Sequence, residues 1–565
     1  MPLVTLAQFR GLVQIKGMRD LPKKGAALAA LALALGCQSN GPADAEGTAG
    51  TSSGGGVALP PDTPATALLP ARIRRLTDAE YQASTAALFG PTAPAVGSDF
   101  VPDARQSGFT VNEAQRVDPV LAHQLAEAAE SLAADLRQHL AERAPCADPV
   151  AGAPACAQAF VHSFGEQVYR RPLAEDEIAR LMGVFGVGFD GGSYAEGIEL
   201  TVRAMLQSAS FLYLTELGEG AGATVKLTPY ELASSMSYLI QGRPPSADLL
   251  QQALAGQLDT PEGRATALSG LFGIDARARV VRVVREWLGT DRITQTAKDS
   301  TEYPEFENVK AAMDRETTEF LQMVVQEEGA SLGKLLAADF TAANAPLAKL
   351  YGASAATEDV FERVVPMPPR LGILNQGAFL SVFAHAQETA PVLRGVAVMR
   401  RLACIDIPDP VTLNIAVVPP PPDPSKTTRE RFGVHAADAR CAACHKLIDN
   451  FGFAFEGFDG MGKSRKMDKG SPVDTSVSVT GTDFDGSYAD SNALATALSR
   501  SPQVRECFAR HVFRALSGTS APELVASENE FVGYWRGRLD ADDPSIIDTL
   551  AAFVESPAFA YRRAP

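Results

Sequence analysis

Apolar side chains recur every three or four positions along most of this chain, the period that gathers them on one face of an α-helix. In Ala157 to Arg170 the stripe is Phe160, Phe164 and Val168, and Arg170-Arg171-Pro172 ends that helix before another begins near Glu175. Between Val309 and Gln326, Met313, Phe320, Leu321 and Val324 share one face, while Asp314, Arg315, Glu316 and Glu319 lie largely elsewhere. Similar stripes run through Val117 to Leu140, Ala195 to Phe211, Thr228 to Ile240, Ala276 to Leu288, Val392 to Leu402, Val504 to Leu516 and Ile546 to Val554. Only short β-prone runs interrupt them, at Arg363 to Pro366 and Val477 to Thr480. The pattern predicts a mainly α, multi-domain helical scaffold.

The periodicity is lost at the N-terminus. Arg19, Lys23 and Lys24 precede the Ala/Leu run Gly25 to Gly36, which is too short to span a bilayer and has the form of a signal-peptide core. Residues 1–36 are therefore read as a signal peptide, with Met18 as an alternative start. Gly36-Cys37 resembles a bacterial lipoprotein cleavage site, which makes Cys37 the acylated N-terminus; the other reading is a simple secretory cleavage nearby. Residues 37–68 are Gly, Ser, Ala, Thr and Pro with almost no large apolar side chain, so they cannot offset their ordering entropy and form a tether. The expectation is an exported lipoprotein of the periplasm or the outer membrane and cell surface, touching the membrane through its lipid anchor only.

A formal charge of -16 without Lys/Arg blocks argues against nucleic-acid partners and against docking on anionic lipid headgroups. His-Glu-x-x-His is missing from the sequence, which removes the usual zinc-protease reading.

Chemistry concentrates in Cys441-Ala442-Ala443-Cys444-His445. Two thiols three positions apart can form thioethers to the two vinyl groups of one porphyrin, and the adjoining histidine is then placed under the iron as proximal ligand, so the motif predicts haem c. A redox dithiol, or half of a zinc site that borrows His435, are the other readings of the same residues. For the second axial position the candidates are His435, Met461, Met467 and His385. Of the seven cysteines, setting aside Cys37, Cys441 and Cys444 leaves Cys146, Cys156, Cys404 and Cys507. Cys146 and Cys156 flank a short loop and would close a local disulfide; Cys404 with Cys507 is then the remaining pair, or both are buried free thiols. Glu456 and Asp459 read as helix-end groups or partners of Arg465 rather than an acid–base pair, and Asp483-Phe484-Asp485-Gly486 as a turn, since Leu494 stands where a calcium loop needs Glu.

Cys441 to His445, continuing into Ile448-Asp449-Asn450-x-Gly452-Phe453-x-x-Glu456-x-Phe458-Asp459-x-x-Gly462-x-x-Arg465, resembles the planctomycete-type cytochrome c module, with Asn450 in place of the usual proline. Thr389-x-Pro391-Val392-x-Arg394-Gly395 and Thr428-Arg429-Glu430-Arg431 followed by His435 are similar to the same module. Arg74-Arg75-Leu76-Thr77-x-x-Glu80-Tyr81, Tyr169-Arg170-Arg171-Pro172-Leu173, Leu227-x-Pro229-Tyr230-Glu231-Leu232-Ala233, Asn344-x-x-Leu347-Ala348-x-x-Tyr351-Gly352, Cys507-Phe508-x-x-His511-x-Phe513-Arg514 and Ser556-Pro557-Ala558-Phe559 resemble the associated planctomycete-specific domains of unknown function, which also occur in surface and periplasmic proteins of myxobacteria.

The resulting division is 69–145, an N-terminal helical domain; 146–218, a helical hairpin domain; 219–355, a helical domain; 356–480, an embedded small cytochrome c-like helical module; and 481–565, a C-terminal helical domain. The function expected is covalent haem c binding and single-electron transfer between redox partner proteins in the periplasm or at the cell surface, including as the electron-delivery part of an oxidoreductase. The alternative is a cell-surface interaction or polysaccharide-binding protein whose haem motif is structural or vestigial; two tryptophans and 7% aromatics give it few platforms for sugar rings.

Overall fold

The computed structural model describes residues 68–564 apart from 356, 409–411, 413–419, 422, 435–438, 519–523 and 539–542. The signal peptide, Cys37, nearly all of the tether, and His435 lie outside the described residues. The fold is mainly α and multi-domain. Contacts divide the described chain into two units, one of Tyr81–Val101 and Val117–Leu214, the other of residues 68–80, Pro102–Arg116 and Thr215 onward.

The first unit is built on the helices Pro119–Gln138, Ala153–Tyr169, Glu175–Gly191 and Tyr194–Leu206. Asp118 caps the first by accepting from the Leu121 amide, satisfying one of the donors that a helix start leaves open. The second ends at Arg170, whose φ of 59° turns the chain left-handed. That conformation is costly for a β-carbon-bearing residue. It is held by the buried guanidinium, which donates to the carbonyls of Ser210, Phe211 and Tyr213. A Cβ at Gly188 would stand 2.7 Å from the Glu196 carbonyl, and one at Gly197 would stand 2.6 Å from the Phe185 ring, so small residues set how closely the last two helices cross. One apolar core, from Tyr81 to Leu212, draws residues from both sides of position 145. Cys146 and Cys156 are disulfide-bonded at its edge.

The second unit gathers the helices Pro229–Ile240, Ile274–Leu288, Phe306–Glu327, Pro391–Leu402, Pro502–Ser517 and Ile546–Glu555 around a larger core. Thr228 and Glu231 cap the first of these reciprocally. The two β-prone runs form strands, each in an antiparallel pair: Thr341–Ala343 with Glu362–Val364, and Val477–Val479 with Gly486–Tyr488. Tyr561–Arg563 pairs with Thr224–Lys226, returning the chain end to the start of this unit. Glu316, placed by its period among polar positions, is instead fully buried and accepts hydrogen bonds from Thr341 and Tyr351 at 2.7 Å each. Desolvation pushes its carboxyl up to about 7. No helix among the described residues is long and apolar enough to cross a membrane.

Candidate cofactor-attachment site

Cys441, Cys444 and His445 all lie on one helix, Ala439–Gly452. Positions separated by three and four residues share a helix face, so the two sulfurs and the imidazole are presented together. Ile448 and Phe451 of this helix enter the core, and Cys444 and Leu447 pack at its margin. The partner is the helix Pro391–Leu402, and the approach is close: a Cβ at Gly395 would lie 2.2 Å from the Ile448 carbonyl oxygen, and one at Gly452 would lie 1.9 Å from that of Pro391. Glycine at both positions is what lets the two backbones meet.

Cys441 and Cys444 are free thiols, partly buried, while Cys404 is bonded to Cys507 as Cys146 is to Cys156. His445 Nδ1 stands 3.1 Å from Asp449 Oδ1, one turn further along the helix. The Asp449 side chain is only 7% exposed, and its Oδ2 is buried with no hydrogen-bond partner. A buried carboxylate in that position can accept the Nδ1 proton and so orient the ring.

A second layer supports the helix from below. Arg394, completely buried, donates to the carbonyls of Leu380, Phe455, Phe458 and Asp459. Glu456 Oε2 accepts from Thr389 at 2.8 Å and from Arg465 at 2.6 Å, and Arg394 Nη1 stands 3.6 Å from its Oε1. Desolvation nevertheless pushes the Glu456 carboxyl above its ordinary range, against the pull of the two guanidiniums. Glu456 is thus an ion-pair partner of Arg465, and the Asp459 carboxylate accepts from the Met461 and Lys463 amides in the following turn. Upstream, Thr427 and Glu430 cap the helix Thr428–Phe432. From that helix Arg429 lies over the Phe453 ring at 4.5 Å and donates to the Ser476 carbonyl, while Arg431 pairs with Glu388. Motif residues quoted from the sequence thus serve mainly to seat the thiol helix.

The second-ligand candidates are placed as follows. Met461 is buried in a separate apolar cluster with Ile293, Phe306, Met313 and Tyr351, a cluster that contains no residue of the thiol helix. Met467 is 54% exposed, in a two-residue strand paired with Ser471–Pro472. His385 is half-buried, and its carbonyl accepts from Lys298 at 2.7 Å. The structure therefore groups Cys441, Cys444 and His445, and leaves Met461 in different packing.

Asp449 has no role assigned by the motif; its spacing of four from His445 is the signal for it in the sequence. A second grouping has no local signal, because it joins distant segments: potential ligand atoms of Cys404, Cys507 and His511 lie within 4.8 Å of one another. With the two sulfurs joined, the cluster is a disulfide beside a buried imidazole. His511 Nε2 faces the Arg400 carbonyl at 3.3 Å, its Nδ1 has no partner, and desolvation followed by the nearby Arg514 charge pushes the ring down to about 3.

Four family models match the chain, each described as a protein of unknown function: PSD3 (DUF1587) over residues 74–138, PSD5 (DUF1595) over 156–216, PSD4 (DUF1592) over 227–353 and PSCyt3 (DUF1588) over 370–468. The last, whose name denotes a planctomycete cytochrome, spans the thiol helix and its supporting layer. Comparison with curated proteins and with solved structures gave no match. Taken in order along the chain, the matches identify a multi-domain helical protein assembled from planctomycete-specific domains of unknown function.

Proposed function

We propose that this chain is an exported, lipid-anchored, c-type cytochrome-like protein that binds haem c covalently and passes single electrons between partners outside the cytoplasm. The observation that carries the reading is the selective state of the cysteines. Four of those described are joined in disulfides, whereas Cys441 and Cys444 remain thiols on the helix turn that presents His445.

The residues present fit the group. Each thiol would add its sulfur and hydrogen across one vinyl double bond, leaving two thioethers and no leaving group. His445 would offer Nε2 to the iron while Asp449 holds the Nδ1 proton, the carboxylate–histidine arrangement by which a buried acceptor orients a metal-binding imidazole. Bound haem c supplies one-electron chemistry. The protein contributes the rest: Gly395 and Gly452 seat the helix, and the Arg394–Glu456–Arg465 network fixes the loop that follows it. Lipid attachment at Cys37 and export rest on the sequence pattern of residues 19–37.

The test is a haem-stained denaturing gel of protein produced together with c-haem maturation machinery. Wild-type protein is expected to keep peroxidase-active stain through denaturation, and Cys441→Ala/Cys444→Ala to lose it. A double variant that stains at wild-type intensity, or a colourless wild type, would overturn the proposal.

A further inference from the structure

Within the second unit, three arginines gather where the Ile274–Leu288 helix ends. Arg292 stands in the short 3-10 helix Thr290–Gln295 that follows it, Arg401 in the last turn of the Pro391–Leu402 helix, and Arg105 in the loop before Phe109. Arg105 is ion-paired with Asp291. Arg292 and Arg401 have no ion-pair partner among the described residues. Asp291 is the one acidic group whose field reaches them, and both also feel the positive charge of Arg105. Three cations thus share one carboxylate.

Two of the guanidiniums meet. A Cβ on Gly289 would lie 3.1 Å from Arg292 Nη2 and 3.3 Å from Arg401 Nη2, so both nitrogens close on one point over this glycine. Both groups also lie against the Phe383 ring, 5.0 Å and 5.6 Å from its centroid. Arg401 Nη1 donates to the carbonyls of Glu286 and Trp287, and Arg292 Nε to that of Gly289 at 3.4 Å. Both Nη2 groups are left without an acceptor among the described residues, and both side chains are partly exposed, so the pair is reachable from solvent. Like charges repel most where burial thins the water between them. Desolvation, then the Arg292 charge, push Arg401 down to about 10, which leaves it cationic at neutral pH. An anion that accepts from both Nη2 groups removes the repulsion. Three arginines against one aspartate leave an excess of two positive charges, which matches a dianion, and a tetrahedral oxyanion has oxygens enough for two guanidinium forks.

We propose that Arg292 and Arg401, with Arg105 beside them, form a binding site for a phosphate-class dianion, free or as a monoester, whose oxygens accept from the two Nη2 groups. The inference does not depend on haem attachment.

The experiment is titration calorimetry of the full chain near neutral pH and at constant ionic strength, with inorganic phosphate, with glycerol phosphate and with sodium chloride. Saturable binding of one equivalent is expected for a phosphate and only dilution heat for chloride. Tighter binding of glycerol phosphate identifies an ester ligand, and tighter binding of inorganic phosphate the free anion. Arg292→Gln should weaken binding by about 10- to 100-fold, the worth of a hydrogen bond to a charged group. Arg500→Gln, which removes an exposed positive charge elsewhere, should leave it unchanged. Should Arg292→Gln fail to fold, crystals of the unaltered protein soaked in selenate give a second readout: an anomalous peak within hydrogen-bonding distance of Arg292 Nη2 and Arg401 Nη2. Phosphate heats no greater than those of chloride, undiminished affinity in Arg292→Gln, an equal loss in Arg500→Gln, or selenate bound only elsewhere would each overturn the assignment.

Discussion

His511 is a buried base whose titration the fold suppresses, and replacing it separates that effect from everything else that happens at low pH. Its ring lies 6.0 Å from that of Trp287 and 6.5 Å from that of Phe109, fully desolvated, and near Arg514 and Arg401. In the folded chain the imidazole protonates only near pH 3, against an ordinary value of 6.5. The unfolded state therefore binds a proton that the folded state refuses throughout that interval. Stability from this group is complete above about pH 6.5 and declines as pH falls toward 3. At pH 4 the loss spans about 2.5 pH units at about 1.36 kcal/mol each, or about 3 kcal/mol. His511→Phe keeps an aromatic ring against Trp287 and Phe109 but cannot titrate; the missing donor to the Arg400 carbonyl costs the same at every pH and cancels in the comparison. Denaturant unfolding of both chains at pH 7 and pH 4, followed by tryptophan fluorescence, gives the double difference. Wild type should lose about 3 kcal/mol more than the variant on going from pH 7 to pH 4. Equal losses would show that the imidazole titrates alike in the folded and unfolded chains and would refute the reasoning.

Two further outcomes test the site. Gly452→Ala places a methyl group 1.9 Å from the Pro391 carbonyl oxygen, where backbone must move; hydrogen exchange of amides in 439–452 is expected to quicken, with a cost of about 1–3 kcal/mol, while amides of the Pro119–Gln138 helix keep wild-type rates. On the proposed haem attachment, Asp449→Asn should leave haem staining intact and raise the midpoint potential by on the order of 50 mV, because a neutral amide would stabilise the oxidised iron less than a carboxylate; an unchanged potential by spectroelectrochemical titration would refute a role for Asp449 beside the group.

Much of this architecture is legible in the residues themselves. Stripes such as Phe160, Phe164 and Val168 are local, and a helix needs only local hydrogen bonds plus one face to bury, so the main helices of both units follow from period and from caps such as Asp118 and Thr228. The spacing of Cys441, Cys444 and His445 likewise puts two thiols and an imidazole on one helical face before any tertiary contact forms. What sequence separation could not convey was environment. Met461 stands sixteen positions beyond His445 and packs into a cluster with Ile293 and Phe306 that holds no residue of the thiol helix. Glu316 sits at a polar position of its stripe but is enclosed by Thr341 and Tyr351 from later segments.

The chain's own pattern determined that it would be mainly helical, where most of its longer helices lie, and which turn presents two thiols and an imidazole. Tertiary structure alone decided that Gly395 and Gly452 are points of backbone contact, that Asp449 is buried against His445, and that Arg292 and Arg401 meet over Gly289. The reason is physical. Period and capping are properties of neighbours along the chain, whereas desolvation, charge balance and steric clearance belong to residues that meet only after folding.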